Sequence, residues 1–179
     1  MKRYGDLFNK ITSFENLLIA ARKAQRGKRL NNSTAEFNLN LENKLLRLQV
    51  ELRNRTYHIG AYKCFHIYDP KKRLISALPY RDRVVQHALC NVIEPIFDNS
   101  LIYDTYACRK DKGSHRAVNR FTMYYRKAKY AMKCDIKSYF ASIDHDRLFE
   151  MIMKKIKDPD VLWIIKLILD STPSPGIPI

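Results

Sequence analysis

The stretch YAMKCDIKSYFASIDHDRL, residues 130–148, carries the most information about the fold. Apolar and polar side chains alternate over residues 130–136, and this alternation predicts a strand with Asp135 on its polar face. After a short turn, Asp144 or Asp146 can cap a helix. A carboxylate at the end of a strand is a suitable ligand for Mg²⁺, which prefers hard oxygen ligands. Taken alone, the same residues are also explained by a capped loop that binds nothing.

The composition indicates a folded, basic protein. The 179 residues include 33 Lys plus Arg against 18 Asp plus Glu, and the formal net charge of +15 predicts a polyanionic partner. The apolar fraction of 46% is too high for a disordered basic tail. The apolar run at residues 161–169 is too short to cross a bilayer, and the N-terminus has no apolar signal core. We therefore expect a cytoplasmic protein without a membrane partner.

The cysteines and histidines predict no metal site of their own. The four cysteines are widely spaced and form no Cys-x-x-Cys pair, and no two of the five histidines stand at ligand spacing. We expect the cysteines to be reduced and mostly packed. They are Cys64, Cys90, Cys108 and Cys134.

Residues 1–55 predict a helical N-terminal extension. Thr12-x-x-Glu15 resembles a capping box before one helix, and leucines spaced by three and four residues between Leu41 and Leu52 predict a second, buried helix. A polar linker, residues 31–34, is expected between them. The run at residues 22–29 contains five cations, which could follow a phosphate backbone or simply solvate a helix end.

Residues 56–75 change to a periodicity near two, which predicts a β-hairpin. Its turn is expected at Asp69-Pro70-Lys71-Lys72, which would give the hairpin a cationic tip. Asp82 can cap the helix that follows, and Pro95 should disturb or end that helix.

The densest basic tract is residues 109–133, which hold nine cations against one acid, Asp111. Tyrosines lie in or beside the tract, and cations mixed with aromatic rings suit contact with phosphates and stacking on bases. For a single residue, inward packing or solvation is the simpler explanation. The tract as a whole predicts polynucleotide binding.

Four blocks of the sequence, in this order, resemble the N-terminal part of bacterial retroelement reverse transcriptases. Residues 73–97 and 102–118 look like the two blocks of the fingers in this family. Residues 134–145 look like the first palm motif, and residues 174–179 look like the opening of the next, with Gly176 and Pro178 beginning its loop. The similarity is strongest to the enzymes of diversity-generating retroelements, retrons and group II introns.

This resemblance implies an α+β fold, with reverse-transcriptase-like fingers joined to an incomplete palm of a right-hand polymerase. The implied segments are the helical extension at residues 1–55, fingers at 56–129 and the start of the palm at 130–179. The family reaction is RNA-directed DNA synthesis, with Mg²⁺ as cofactor and an RNA template, a DNA primer and deoxynucleotides as partners.

The resemblance also implies roles for individual residues. Asp135 would be the first catalytic carboxylate and a metal ligand together with the Ile136 carbonyl, and Phe140 would exclude a 2′-hydroxyl from the incoming sugar. Arg73, with Lys71 or Lys72, would hold the triphosphate. The residues that would lie against the template strand are Arg109, Lys110, Lys112 and Gly113.

The sequence departs from the family pattern in one respect. It reaches Ile179 without a Tyr-x-Asp-Asp hairpin or a thumb, and it contains no adjacent Asp-Asp pair. Two-metal phosphoryl transfer needs several carboxylates to hold two ions about 3.5–4 Å apart. We therefore expect the 179-residue chain alone to be inactive. The alternatives are a non-catalytic RNA-binding remnant, or a split half completed by an accessory protein or second chain.

Overall fold

Helices form most of the structure, a computed structural model that describes residues 2–68, 70–137 and 139–172. One antiparallel pair of strands is the only sheet among the described residues. The helices are α1 Phe8–Ile11, α2 Phe14–Ala24, α3 Asn32–Leu39, α4 Leu41–Arg53, α5 Tyr80–Asp98, α6 Gly113–Tyr125, α7 His145–Met153 and α8 Pro159–Ser171; the strands are β1 Lys63–Tyr68 and β2 Lys72–Ala77; and a 3-10 turn spans Tyr139–Ser142. The architecture is therefore α+β, with a two-stranded sheet. Asp69 and the block 174–179 lie outside the described residues.

The hydrophobic core is built from α1 to α5 together with α8. The predicted stripe of α4 is confirmed, since Leu45, Leu48 and Leu52 are fully buried. Ile156 and Ile164, from the other end of the chain, are buried in the same cluster. Among the described residues, no helix is long and apolar enough to cross a membrane.

Asp158 fastens the N-terminus to the start of α8. Its Oδ1 accepts hydrogen bonds from the backbone N–H groups of Asp160 at 3.1 Å and Val161 at 3.3 Å, which caps α8. Its Oδ2 accepts bonds from the N–H groups of Leu7 at 2.8 Å and Phe8 at 3.1 Å. One buried carboxylate therefore accepts hydrogen bonds from backbone N–H groups at the starts of two helices.

Two predicted helix boundaries near the N-terminus are wrong. The cap of α2 is Ser13, whose hydroxyl accepts the Asn16 N–H at 3.2 Å, while the Thr12 hydroxyl donates back to the Phe8 carbonyl. The expected linker at residues 31–34 is the start of α3, because the Asn31 side chain accepts the Ser33 N–H at 3.1 Å and caps that helix.

The helix α5 continues through Pro95 to Asp98, so the prediction that this proline ends the helix is wrong. Pro95 removes one backbone donor, but Ile96 and Phe97 beyond it pack against the core. Burial of these two side chains offsets the lost hydrogen bond.

The hairpin is confirmed, with Lys63 opposite Ala77 and Tyr68 opposite Lys72. The strand begins at Lys63 and not near Thr56. All six residues of β1 are exposed, so the hairpin projects from the helical core instead of packing on it.

Residues 130–136 form no strand, which corrects the prediction from alternation. A strand needs a hydrogen-bonding neighbour, and the described residues place no second strand beside this segment. The predicted cap of α7 by Asp144 is confirmed, since its Oδ1 accepts the Arg147 N–H at 3.0 Å. All four cysteines are free, as expected, but exposed and not packed.

Candidate nucleic-acid interface

The base of the hairpin is fixed by a buried carboxylate on the helix that follows it. Asp82 is not the cap of α5, which begins at Tyr80 without a side-chain cap. Instead, Asp82 accepts the Tyr57 hydroxyl at 2.6 Å and the Gly60 N–H at 3.1 Å. Burial, and then the hydrogen bond to Asp82, raise the pKa of Tyr57 far above its ordinary value. The segment entering the hairpin is thus bonded to the helix that leaves it.

The tip of the hairpin carries the predicted triphosphate ligands on an exposed strand end. Lys71, Lys72 and Arg73 are all exposed. Lys72 lies opposite Tyr68, with its ammonium 6.0 Å from the centroid of that ring. These cations are therefore accessible to an anion at the hairpin tip.

Arg109 joins the end of α5 to the loop that leads into α6. Its Nε donates to Asp98 Oδ1 at 2.6 Å, and its Nη2 donates to Asp98 Oδ2 at 3.1 Å. Its Nη1 donates to the Ile102 carbonyl at 3.1 Å and the Thr105 hydroxyl at 3.0 Å. The hydrogen bond from Arg109 lowers the pKa of Asp98, because it favours the ionised carboxylate. A role of Arg109 against the template stays a prediction.

A second ion pair orders the face of α6 that meets this loop. Arg120 Nε donates to Asp104 Oδ1 at 2.9 Å, and this bond lowers the pKa of Asp104. Lys112 donates to the Tyr103 carbonyl at 2.7 Å and lies 3.7 Å from the centroid of the Tyr103 ring. We call this group the aromatic–cation cluster; its members are Tyr103, Asp104, Tyr106, Lys112, Arg120 and Tyr124.

Other cations of the basic tract remain open to solvent. Within the described residues, six exposed cationic side chains of the tract make no hydrogen bond or ion pair. Four of them lie in the loop before α6, on α6 or in the turn after it; these open cations are Lys110, Arg116, Arg126 and Lys127, and the other two are Lys129 and Lys133. Gly113 begins α6 with a φ of 85°, a left-handed conformation that glycine adopts without steric cost. It places α6 directly after the loop that carries Lys110.

The apolar side of α6 is exposed as well. No residue of α6 is buried, and its Phe121 and Tyr125 rings stack with centroids 5.5 Å apart. A helix with exposed rings and open cations combines the two kinds of group that bind single-stranded nucleic acid.

The predicted catalytic residues are exposed. Asp135 and Ile136 lie in the irregular segment before the 3-10 turn, and the exposed Phe140 ring meets Tyr139 edge to face at 5.3 Å. Across the part of the chain that the structure describes, no hydrogen bond or ring contact joins Asp135 or Phe140 to the hairpin or to Arg109–Gly113.

The residues present do not fit a complete site for two Mg²⁺ ions. In the described ranges, no group of three or more His, Cys, Asp or Glu side chains converges. Asp135 and the Ile136 carbonyl would supply two oxygen ligands, which is fewer than a pair of ions requires. Among the described residues, the palm motif therefore points to one candidate metal carboxylate, Asp135.

The cations of this interface are visible in the sequence, but their acidic partners are not. Asp98 and Asp104 lie just before the basic tract, one at the end of α5 and one in the following loop. The acids lie 11 and 16 residues before their arginines, whereas ion pairs within one helix are three or four residues apart. The two pairs therefore form only when the loop is folded.

A family model described as reverse transcriptase (RNA-dependent DNA polymerase) matches residues 68–175. Among curated proteins, the group II intron-encoded protein LtrA of Lactococcus lactis is 25% identical over 127 residues, covering 69% of this chain and 21% of LtrA. Nuclear intron maturase 2, mitochondrial, of Arabidopsis thaliana is 23% identical over 142 residues, covering 70% of this chain and 19% of that protein. An uncharacterized 91 kDa protein in a cob intron of Schizosaccharomyces pombe is 28% identical over 100 residues, covering 56% of this chain and 12% of that protein. The chain thus spans about a fifth or less of these three relatives.

Proposed function

The chain belongs to the reverse transcriptase (RNA-dependent DNA polymerase) family, and we propose that it supplies the template-binding and nucleotide-binding front of an RNA-directed DNA polymerase. In this proposal residues 56–129 are the fingers, residues 130–179 begin the palm, and residues 1–55 are a helical extension. The observation that carries the proposal is the exposed basic and aromatic surface of α6 and its preceding loop, inside the matched region.

The template strand is proposed to follow the segment Arg109–Gly113 and the adjoining face of α6. Phosphate contact needs accessible cations, and the four open cations meet that requirement. The exposed Phe121 and Tyr125 rings offer surfaces on which bases can stack. RNA is the proposed polyanion because two of the relatives are named for intron-encoded or maturase proteins.

The incoming deoxynucleotide is proposed to bind between the hairpin tip and the 3-10 turn. Lys71, Lys72 and Arg73 would hold the triphosphate through charge-assisted hydrogen bonds. Phe140 would lie under the sugar, where a large ring leaves no room for a 2′-hydroxyl. The exposure of all four side chains supports this assignment.

Asp135 is proposed as the first carboxylate of the catalytic metal site, with the Ile136 carbonyl beside it. These two oxygen ligands would hold Mg²⁺, which would supply activation of the primer 3′-hydroxyl and neutralisation of the leaving phosphates. Because the described residues present one suitable carboxylate, we propose that the 179-residue chain by itself does not extend a primer.

Primer extension tests this part of the proposal. The chain is incubated with an RNA template, an annealed DNA primer, deoxynucleotides and Mg²⁺, with Asp135→Ala as the matched control. We expect no extension above the control. Extension that is lost on Asp135→Ala would show that the chain completes its own metal site.

RNA binding tests the other part. The affinity for a fluorescent single-stranded RNA is measured by anisotropy from low to high salt, because each neutralised phosphate releases counterions. We expect log K to fall steeply with log salt, by about 0.7 for each phosphate contact. An affinity that does not depend on salt would remove the electrostatic basis of the proposal.

A second candidate function is RNA binding without catalysis, alone or as one half of a split polymerase. In the part of the chain that the structure describes, no group of three or more His, Cys, Asp or Glu side chains converges, and this favours it over a self-sufficient enzyme. One measurement separates the two versions. A split half predicts that a second chain carrying an Asp-Asp pair restores Asp135-dependent primer extension, and RNA binding without catalysis predicts that it does not.

A further inference from the structure

The cations of the basic tract divide into two sets with different surroundings. Arg109 and Arg120 each give two hydrogen bonds to one aspartate, whereas Arg116 and Arg126 are exposed and, among the described residues, have no such partner. The Arg109 side chain is only 15% exposed, so most of its surface is covered by the protein itself. A guanidinium in this state has few donors left for a phosphate.

The contacts of Arg109 hold a loop, since they connect groups that are distant along the backbone. Arg109 contacts Asp98, the last residue of α5, and it also donates to the carbonyls of Ile102 and Thr105 in the loop. Cys108 and Asp111 on either side adopt φ values of 58° and 57°, which side-chain-bearing residues rarely adopt. The loop therefore has a specific conformation that the arginine stabilises.

Arg120 makes the corresponding connection on α6. Its pair with Asp104 ties the helix to the same loop, and the guanidinium also lies 4.7 Å from the centroid of the Tyr124 ring. The two pairs together fix the path from α5 to α6, and with it the positions of Lys110 and Arg116.

Resting on the proposed function, we infer that Arg109 and Arg120 are positioning residues, held by Asp98 and Asp104, and that the phosphate contacts of this surface come from the open cations. The acids are then as important for RNA binding as the arginines. This assignment separates an ordering role from a contact role within one basic tract.

Asp98→Asn discriminates between the two roles of Arg109. A phosphate-contacting arginine predicts tighter RNA binding by this variant, and a loop-ordering arginine predicts weaker RNA binding. The substitution raises the net charge by one, so a purely electrostatic surface, or an Arg109 released to bind phosphate, would bind RNA more tightly. Loss of loop order instead predicts binding about two- to fivefold weaker, the range expected for an exposed ion pair. Faster amide hydrogen exchange in residues 99–112, with α2 unchanged, would accompany it and would show that the core remains folded.

The arginine variants form a charge-matched comparison. Arg109→Gln with Arg120→Gln, and Arg116→Gln with Arg126→Gln, each remove two guanidinium groups. We expect the second pair to reduce the salt slope of RNA binding by about 1.4, and the first pair to leave the slope unchanged while weakening affinity. Arg109→Lys keeps the charge but loses the two-point pair with Asp98, so it should behave like Arg109→Gln.

The inference is overturned if Asp98→Asn binds RNA as tightly as the unmodified chain or more tightly, or if the Arg109 and Arg120 double variant lowers the salt slope like the other pair. An Arg109→Lys variant with normal affinity overturns it as well. Failure of the unmodified chain to bind RNA at any salt contradicts the proposed function first and the inference with it, so the two failures are distinguishable.

Discussion

Tyr57→Phe should destabilise the protein by removing one buried hydrogen bond at the base of the hairpin. Tyr57 and Asp82 are each 2% exposed, and the hydroxyl donates to the carboxylate at 2.6 Å. Buried hydrogen bonds to a charged group contribute about 1.5–3 kcal/mol. The variant leaves the Gly60 N–H bonded to Asp82, so we expect a loss of about 2 kcal/mol in the free energy of unfolding. For a chain of this size that is a fall of roughly 4–8 °C in Tm.

Urea denaturation followed by circular dichroism measures this loss, with Tyr68→Phe as the control. Tyr68 lies on the same hairpin with 72% of its surface exposed, so removal of its hydroxyl should change stability by less than about 0.5 kcal/mol. Equal stabilities of the two variants would refute the reasoning that the Tyr57–Asp82 bond anchors the hairpin.

Four further predictions concern the stability of the fold. Gly60→Ala would place a Cβ 3.0 Å from Asp82 Oδ2, and we expect a loss of about 1–3 kcal/mol in denaturant unfolding. Asp158→Ala removes the cap of α8 and leaves the two N–H groups at the start of α1 without their acceptor, so it should cost about 2–3 kcal/mol. The exposed Asp170→Ala should cost less than about 1 kcal/mol in the same assay. The raised pKa of Tyr57 contributes stability that is present below about pH 10 and is lost as pH rises above it; Tyr57→Phe should therefore flatten the alkaline fall of unfolding free energy.

Residue spacing and turn residues predicted the elements that depend on local contacts or on an amphipathic face. The leucine stripe of α4, the hairpin and the cap at Asp144 all follow from spacing and turn chemistry, and all three are present. Features that depend on distant partners could not be predicted in this way. Alternation at residues 130–136 suggested a strand, but alternation alone supplies no neighbouring strand to pair with.

The candidate site shows the same division. The cations of the basic tract are visible in the sequence, yet their division into paired and open groups depends on Asp98 and Asp104, which the loop brings to them. Asp82 at the third position of α5 looked like a cap, because its true partner Tyr57 lies 25 residues earlier. The roles of Asp135 and Phe140 stay predictions from the family motif.

RNA binding by two charge-matched variants tests the central claim most directly. One variant replaces the four open cations with glutamine: Lys110, Arg116, Arg126 and Lys127. The other replaces four exposed cations elsewhere that make no side-chain hydrogen bond or ion pair within the described residues: Lys10, Arg47, Arg53 and Lys154. Both lose the same charge, so any difference reports the position of the interface. We predict that the first variant lowers the salt slope of RNA binding by up to about 3 while the second keeps the slope of the unmodified chain. Equal slopes for the two variants would contradict the placement of the nucleic-acid interface on this surface.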